Sequence, residues 1–177
     1  MAGVFAVALR KNLRTLVGDE AFAQTLARLS DEHREELEAT TSLGWAKLDM
    51  VDAVVDTAAE VSGRDPLELN ADITRLNMKQ TIHGVWRLLL KAATDRMIIQ
   101  RTPSLYSRAY NRGHVTSEWI GPGHATVTLT QWPDLPEYAL SGGAVAIETL
   151  LEHAGRSGVG VSMERTQDGA RLRIRWS

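Results

Sequence analysis

The sequence predicts an α+β fold, an N-terminal helical layer packed on a four-stranded antiparallel sheet. Three observations carry that prediction. Apolar residues recur at helical spacing through residues 1–113. After Gly113 the period changes to alternation, with Val115, Ser117 and Trp119 on one side and Thr116, Glu118 and Ile120 on the other. The remainder then reads strand, helix, strand, strand, so the C-terminal order is ββαββ. No repeat or linker interrupts the 177 residues, and the chain reads as a single α+β domain, 1–177, helical over residues 1–113 and sheet-bearing over residues 114–177.

The elements follow in order. Val4, Phe5, Val7, Ala8, Leu9, Leu13 and Leu16 mark a first helix, stopped at Gly18. Phe22, Leu26 and Leu29 form a short apolar stripe, and Ser30 caps the acidic helix that follows. After Trp45, residues Leu48, Val51, Val54, Val55, Ala58 and Val61 line one face of an amphipathic helix ending at Gly63. Asp65-Pro66-Leu67-Glu68 is a capped start for the next helix. A break falls at His83-Gly84. Val85 to Ile99 reads as one apolar central helix, burying Val85, Leu88, Leu89, Ala92 and Met97. Pro103 opens a short helix that ends at Gly113. Gly121-Pro122-Gly123 turns a first hairpin, Tyr138 to Ala154 is a helix, and Asp168-Gly169 turns the last hairpin. In that hairpin Val159, Val161, Met163, Leu172, Ile174 and Trp176 face the core.

Composition narrows the function. The chain is 44% hydrophobic and 24% charged, with a net charge of −2, so it lacks the basic excess of a nucleic-acid or anionic-membrane binder. It has no cysteine, which excludes disulfides, thiolate nucleophiles and cysteine zinc sites. No run has the length of a membrane span, and the N-terminal charges follow the apolar stretch, the reverse of a signal peptide. These features place the chain in the cytoplasm.

No catalytic constellation emerges. Ser141 has no evident base, and the acidic residues crowd solvated helix faces. The five histidines have no paired metal-ligand spacing, so no metal site is assigned. Arg101, Arg108 and Arg112 with Tyr106 and Tyr110 form the first candidate site. On a helix Arg108 and Arg112 share a face, and such a cluster holds a carboxylate or phosphate. The competing reading pairs the arginines with surface acids and packs the tyrosines on the hairpin. His83 and Trp86, beside Arg87, form the second candidate, a pocket mouth where Gly84 admits close approach; close packing of two helices competes with it. Arg171, Arg173 and Arg175 share one strand face, an arrangement that commonly discourages edge pairing.

Scattered landmarks carry a family resemblance: Gly3-Val4-Phe5, Gly18-Asp19-Glu20, Trp45, Arg101-Thr102-Pro103, Tyr106, Tyr110, Gly113, Trp132-Pro133, Gly142-Gly143 and Arg175-Trp176. In these the chain resembles a myxobacterial paralogous family of unassigned function. At greater distance its layout is similar to the superfamily of vinyl-reductase-type (V4R), TRAPP-subunit and haem–nitric-oxide-binding domains. That resemblance implies a small or hydrophobic ligand held between helices and sheet, and dimerisation through helices. The haem branch's tyrosine–serine–arginine signature has alternate spacing, whereas Tyr106-Ser107-Arg108 are adjacent, so haem is not implied and no cofactor is expected. The expected function is non-catalytic: a sensory or regulatory binding domain for a small apolar or amphipathic ligand or a protein partner. The alternative is a homodimeric scaffold without a ligand.

Overall fold

The structure, a computed structural model, describes residues 1–82 and 85–177, without the side chains of residues 85–88. The chain runs α1 (Gly3–Val17), α2 (Asp19–Arg28), α3 (Asp31–Ala39), α4 (Leu48–Ser62), α5 (Pro66–Thr81), α6 (Val85–Ala92), α7 (Asp95–Ala109), β1 (His114–Gly121), β2 (His124–Thr130), α8 (Glu137–His153), β3 (Gly160–Thr166) and β4 (Gly169–Arg175). Helices precede strands and the C-terminal order is ββαββ, the α+β class expected from the sequence. The residues divide into two compact units, Met1–Asn77 and Met78–Ser177, with the division inside α5. Among the described residues no helix is long and apolar enough to cross a membrane.

In the first unit α4 supplies the central apolar face. Its Met50, Val51, Val54, Val55, Ala58 and Ala59 are buried, and α1, α2 and α3 lie against it. α1 contributes Ala6, Leu9 and Leu13 to this core. Gly3 at its start is required by close approach, because a Cβ there would stand 2.0 Å from the Thr41 carbonyl oxygen. The predicted caps form: the Ser30 hydroxyl accepts from the His33 N–H at 3.2 Å, and the Asp65 carboxylate from the Glu68 N–H at 2.9 Å.

Asp52 on α4 departs from this satisfied framework. It is half-buried and its Oδ1 has no hydrogen-bond partner. Burial first, then the charges of Asp56 and Asp49, raises its pKa from the ordinary 3.8 to about 6. A carboxyl whose folded pKa exceeds its unfolded value destabilises the fold progressively as pH rises from the lower value through the higher. A rise of this size corresponds to about 3 kcal/mol in a dry interior, which solvent screening of a half-exposed group reduces to about 1 kcal/mol. Asp52→Asn is therefore expected to raise Tm by about 3 °C at pH 7.5 and leave it unchanged near pH 4. Thermal melts followed by circular dichroism at the two pH values check this.

In the second unit the strands are all antiparallel, in the order β1-β2-β4-β3. One face is apolar: Val115, Ala125, Val127, Leu129, Ala170, Leu172 and Ile174 are buried. α7 lies against β1 and α8 against β3. β3 is an edge strand, so Met163, expected in the core, is 42% exposed, while Trp176 is buried as expected. β4 is an inner strand, so its arginines do not guard an edge; Arg173 pairs with Glu164 at 2.7 Å.

The expected single helix from Val85 to Ile99 is two helices. It breaks at Thr94, whose extended backbone and hydroxyl cap α7 by accepting from the Met97 N–H at 3.3 Å. The new helical phase buries Ile98 and Ile99 and leaves Met97 exposed; Leu89 and Ala92 on α6 are exposed too, contrary to expectation, and the side chains of Val85 and Leu88 lie outside the described residues. Pro103, expected to open a helix, lies inside α7. Proline has no N–H, so the Ile99 carbonyl loses its partner four residues on. The Ser117 hydroxyl of β1 takes that place, donating to the Ile99 oxygen at 2.8 Å. Helix and sheet are thus joined where proline frees an acceptor. Ser117→Ala leaves a buried carbonyl without a partner and is expected to destabilise by about 1.5 kcal/mol. In a Pro103→Ala background the helix can satisfy Ile99 itself, and the same substitution should cost close to nothing; a double-mutant cycle in urea measures the difference.

Candidate functional site

The structure brings together three members of the predicted arginine–tyrosine cluster. Tyr106, on the last turns of α7, and Tyr110, just past its end, stack with ring centroids 5.1 Å apart. Tyr110 meets Trp132 edge-on at 5.8 Å. The Arg112 guanidinium lies over the Trp132 ring at 5.5 Å and pairs with Asp134 at 2.5 Å. The Tyr106 hydroxyl donates to the Arg112 carbonyl at 2.6 Å. Burial, then the neighbouring Tyr110, raises the Tyr106 pKa well above the ordinary phenol value, so this donor keeps its proton.

Gly113 makes the corner possible. Its φ of 76° lies in the left-handed region, and a Cβ would stand 2.7 Å from Leu129 Cδ1 and 2.9 Å from the Tyr106 hydroxyl. Because α7 ends at Ala109, Arg108 and Arg112 do not share a helical face, and the anion cluster loses its geometric premise. Arg101 and Arg108 are exposed on α7 and make no ion pair among the described residues. The corner is therefore an aromatic lock in which Arg112 is occupied by Asp134. His83 lies outside the described residues. Trp86 belongs to α6, and its side chain lies outside them too.

A second group was not foreseen from the sequence. Asp95 at the start of α7 accepts from Arg156 Nε at 2.6 Å through Oδ1 and from Trp176 Nε1 at 3.0 Å through Oδ2. Arg156, in the turn between α8 and β3, also donates to the Ala93 carbonyl at 2.8 Å and to the Ala154 carbonyl. Burial works to raise the Asp95 pKa, but the bonds from Trp176 and Arg156 together outweigh it and hold it below the ordinary value. The Trp176 N–H bonds the Gly123 carbonyl at 3.0 Å, and the Ser157 and Ser177 backbones bond each other, so this node ties helix start, hairpin turn and last strand.

Beside the node lies an open cleft of about 500 Å³ lined by Asp95, Pro122, Gly123, Gly155, Arg156, Trp176 and Ser177. A smaller cleft of about 300 Å³, lined by Lys91, Glu152, His153 and Gly155, shares Gly155 with it. Between α7, α8 and the sheet, by contrast, Ile98, Ile99, Leu129, Trp132, Leu150, Leu151 and Leu172 are all at most 9% exposed. Both clefts open on the surface of this unit. The only local sequence signal for it is Thr94-Asp95, a capping pair inside an otherwise apolar run.

A helical N-terminal half followed by this ββαββ sheet defines the H-NOX class of fold. Over 100% of the chain it superposes on 97% of the unliganded Fe(II) H-NOX protein from K. algicida, with a TM-score of 0.76 and 12% identity. The I5F mutant of T. Tengcongensis H-NOX matches with a TM-score of 0.75 and 15% identity, covering 100% of this chain and 98% of that one. A structure from work on heme distortion in the H-NOX family matches with a TM-score of 0.74 at 15% identity, over 100% and 95% of the two chains. At these identities the likeness concerns the fold alone. The chain belongs to the family described as protein of unknown function DUF2378, whose model matches residues 1–177. No curated protein matches it.

Proposed function

We propose that this chain is a non-catalytic sensory or regulatory binding domain that takes a small apolar or amphipathic ligand or a protein partner. The observation that carries the reading is the whole-chain match to the H-NOX fold, which includes structures studied for heme redox potential. Kinship with V4R and TRAPP domains belongs to the same reading, as does residence in the cytoplasm.

Among the described residues, the histidines and Tyr106 offer no free, buried axial ligand for a haem iron; His83 lies outside the described residues. An iron needs an axial His, Cys, Met or Tyr ligand held in a buried site. The chain has no cysteine. His114 and His124 are exposed, His33 is only half-buried, and His153 Nδ1 is engaged by the Thr149 carbonyl at 2.8 Å. Tyr106 keeps its hydroxyl on the Arg112 carbonyl. The ligand proposed is one held by the chain's own side chains.

Incubation with a mixed lipid extract followed by native mass spectrometry tests the proposal. A dissociable adduct at one per chain is expected; a chain that retains nothing under any loading condition sinks the ligand reading. A second reading, a homodimeric scaffold, is favoured by one surface in the first unit. Ala2 pairs with Trp45, and around this short ribbon Val4, Leu43 and Trp45 are 50%, 96% and 51% exposed. Light scattering after size exclusion separates the two: a dimer broken by Leu43→Asp supports the scaffold, and a strict monomer removes it.

A further inference from the structure

We infer that the two clefts meeting at Gly155 form one groove for a single-chain zwitterionic amphiphile. This rests on the binding-domain reading and names the site and the ligand's chemistry. The clefts offer about 500 Å³ and about 300 Å³ of space open to solvent. Their junction is open because Gly155 has a φ of 89° and a Cβ there would meet nothing within 4 Å. The positive φ itself favours glycine, so the junction stays free of a side chain.

The two ends differ in chemistry. In the larger cleft the charged groups neutralise each other: Arg156 is bound by Asp95, and Trp176 completes that carboxylate. The lining there also includes Pro122, Gly123 and Trp176, the last only 7% exposed. In the smaller cleft Lys91 and Glu152 face the same space, and neither makes an ion pair among the described residues. His153 has its Nδ1 fixed on Thr149, which leaves Nε2 as its available nitrogen. One unpaired cation and one unpaired anion at a shared rim complement a head carrying both signs. A head with one charge would leave the like-charged rim group repelled. The apolar body then lies across Gly155 toward Trp176 and Pro122.

The test uses four decyl compounds below their micelle concentrations: decyl-dimethylglycine (zwitterion), decanoate (anion), decyltrimethylammonium (cation) and decanol (neutral). Isothermal titration against the full chain is expected to show the zwitterion binding at least tenfold tighter than the other three. Lys91→Gln should turn the preference toward the cation, and Glu152→Gln toward the anion. Both residues are exposed, so the variants should fold as the parent does, which circular dichroism checks. Trimethylglycine, the head without the chain, should not bind. Equal binding of all four decyl compounds, or preferences unmoved in both variants, overturns the inference while the ligand-binding reading stands. No decyl binding alongside retained lipid-extract adducts also overturns it and leaves that reading intact. Loss of both would remove the two together.

Discussion

Trp132→Ala is expected to destabilise the chain by about 4 kcal/mol, a drop in Tm of roughly 10 °C. Trp132 is 1% exposed and joins three segments of the second unit at once. Its ring receives the edge of Tyr110 and the face of the Arg112 guanidinium, and it packs on the backbone of Gly113. Its own backbone N–H bonds the Asp168 carbonyl of the last hairpin at 3.0 Å. Alanine removes the aromatic area and leaves a cavity that a glycine-bounded corner cannot close. Trp132→Phe is a sharper probe. The indole Nε1 is buried without an acceptor, a state that itself destabilises. Phenylalanine keeps most of the ring and deletes that donor, so its cost should be about 1 kcal/mol, the usual cost of a near-isosteric core swap. Urea titration of both variants measures the difference.

Asp95→Ala is expected to cost about 3 kcal/mol, the low end for breaking a buried ion pair, because Asp95 keeps 29% of its side chain exposed. The Arg156 side chain, 16% exposed, would be left charged beside two carbonyls, and the Trp176 indole N–H would lose its acceptor. The sign of the pH dependence follows from the depressed Asp95 pKa. Such a group stabilises the fold above its unfolded pKa, and the contribution is lost as pH falls through the lower folded value. The deficit of the alanine variant should therefore be full at pH 7 and shrink at pH 3 and below. Guanidinium melts across that range check it.

The layout of the chain was legible because it rests on local pattern. The change of period after Gly113, the caps at Ser30 and Asp65 and the two hairpin turns are each written within a few residues. Sequence and structure part where a tertiary contact overrides a local rule. Pro103 reads as a helix start, yet it sits inside α7 because Ser117 satisfies the carbonyl that proline abandons. The Thr94 cap lies in a run whose spacing predicts one continuous helix, and that phase places Met97 in the core in place of Ile98 and Ile99. Of the predicted site, Tyr106, Tyr110 and Arg112 do converge, but on Trp132 and Asp134 instead of on open space for an anion. The Asp95 node joins residues 61 and 81 positions apart, and no periodicity links such distances.

The most direct measurement is native mass spectrometry of the folded chain offered haemin and decyl-dimethylglycine in equal amounts, with the absorption spectrum recorded in parallel. The expected result is one dissociable amphiphile per chain and no Soret band. One haem per chain with an intense Soret band, and no retained amphiphile, would contradict a binding domain that works through its own side chains.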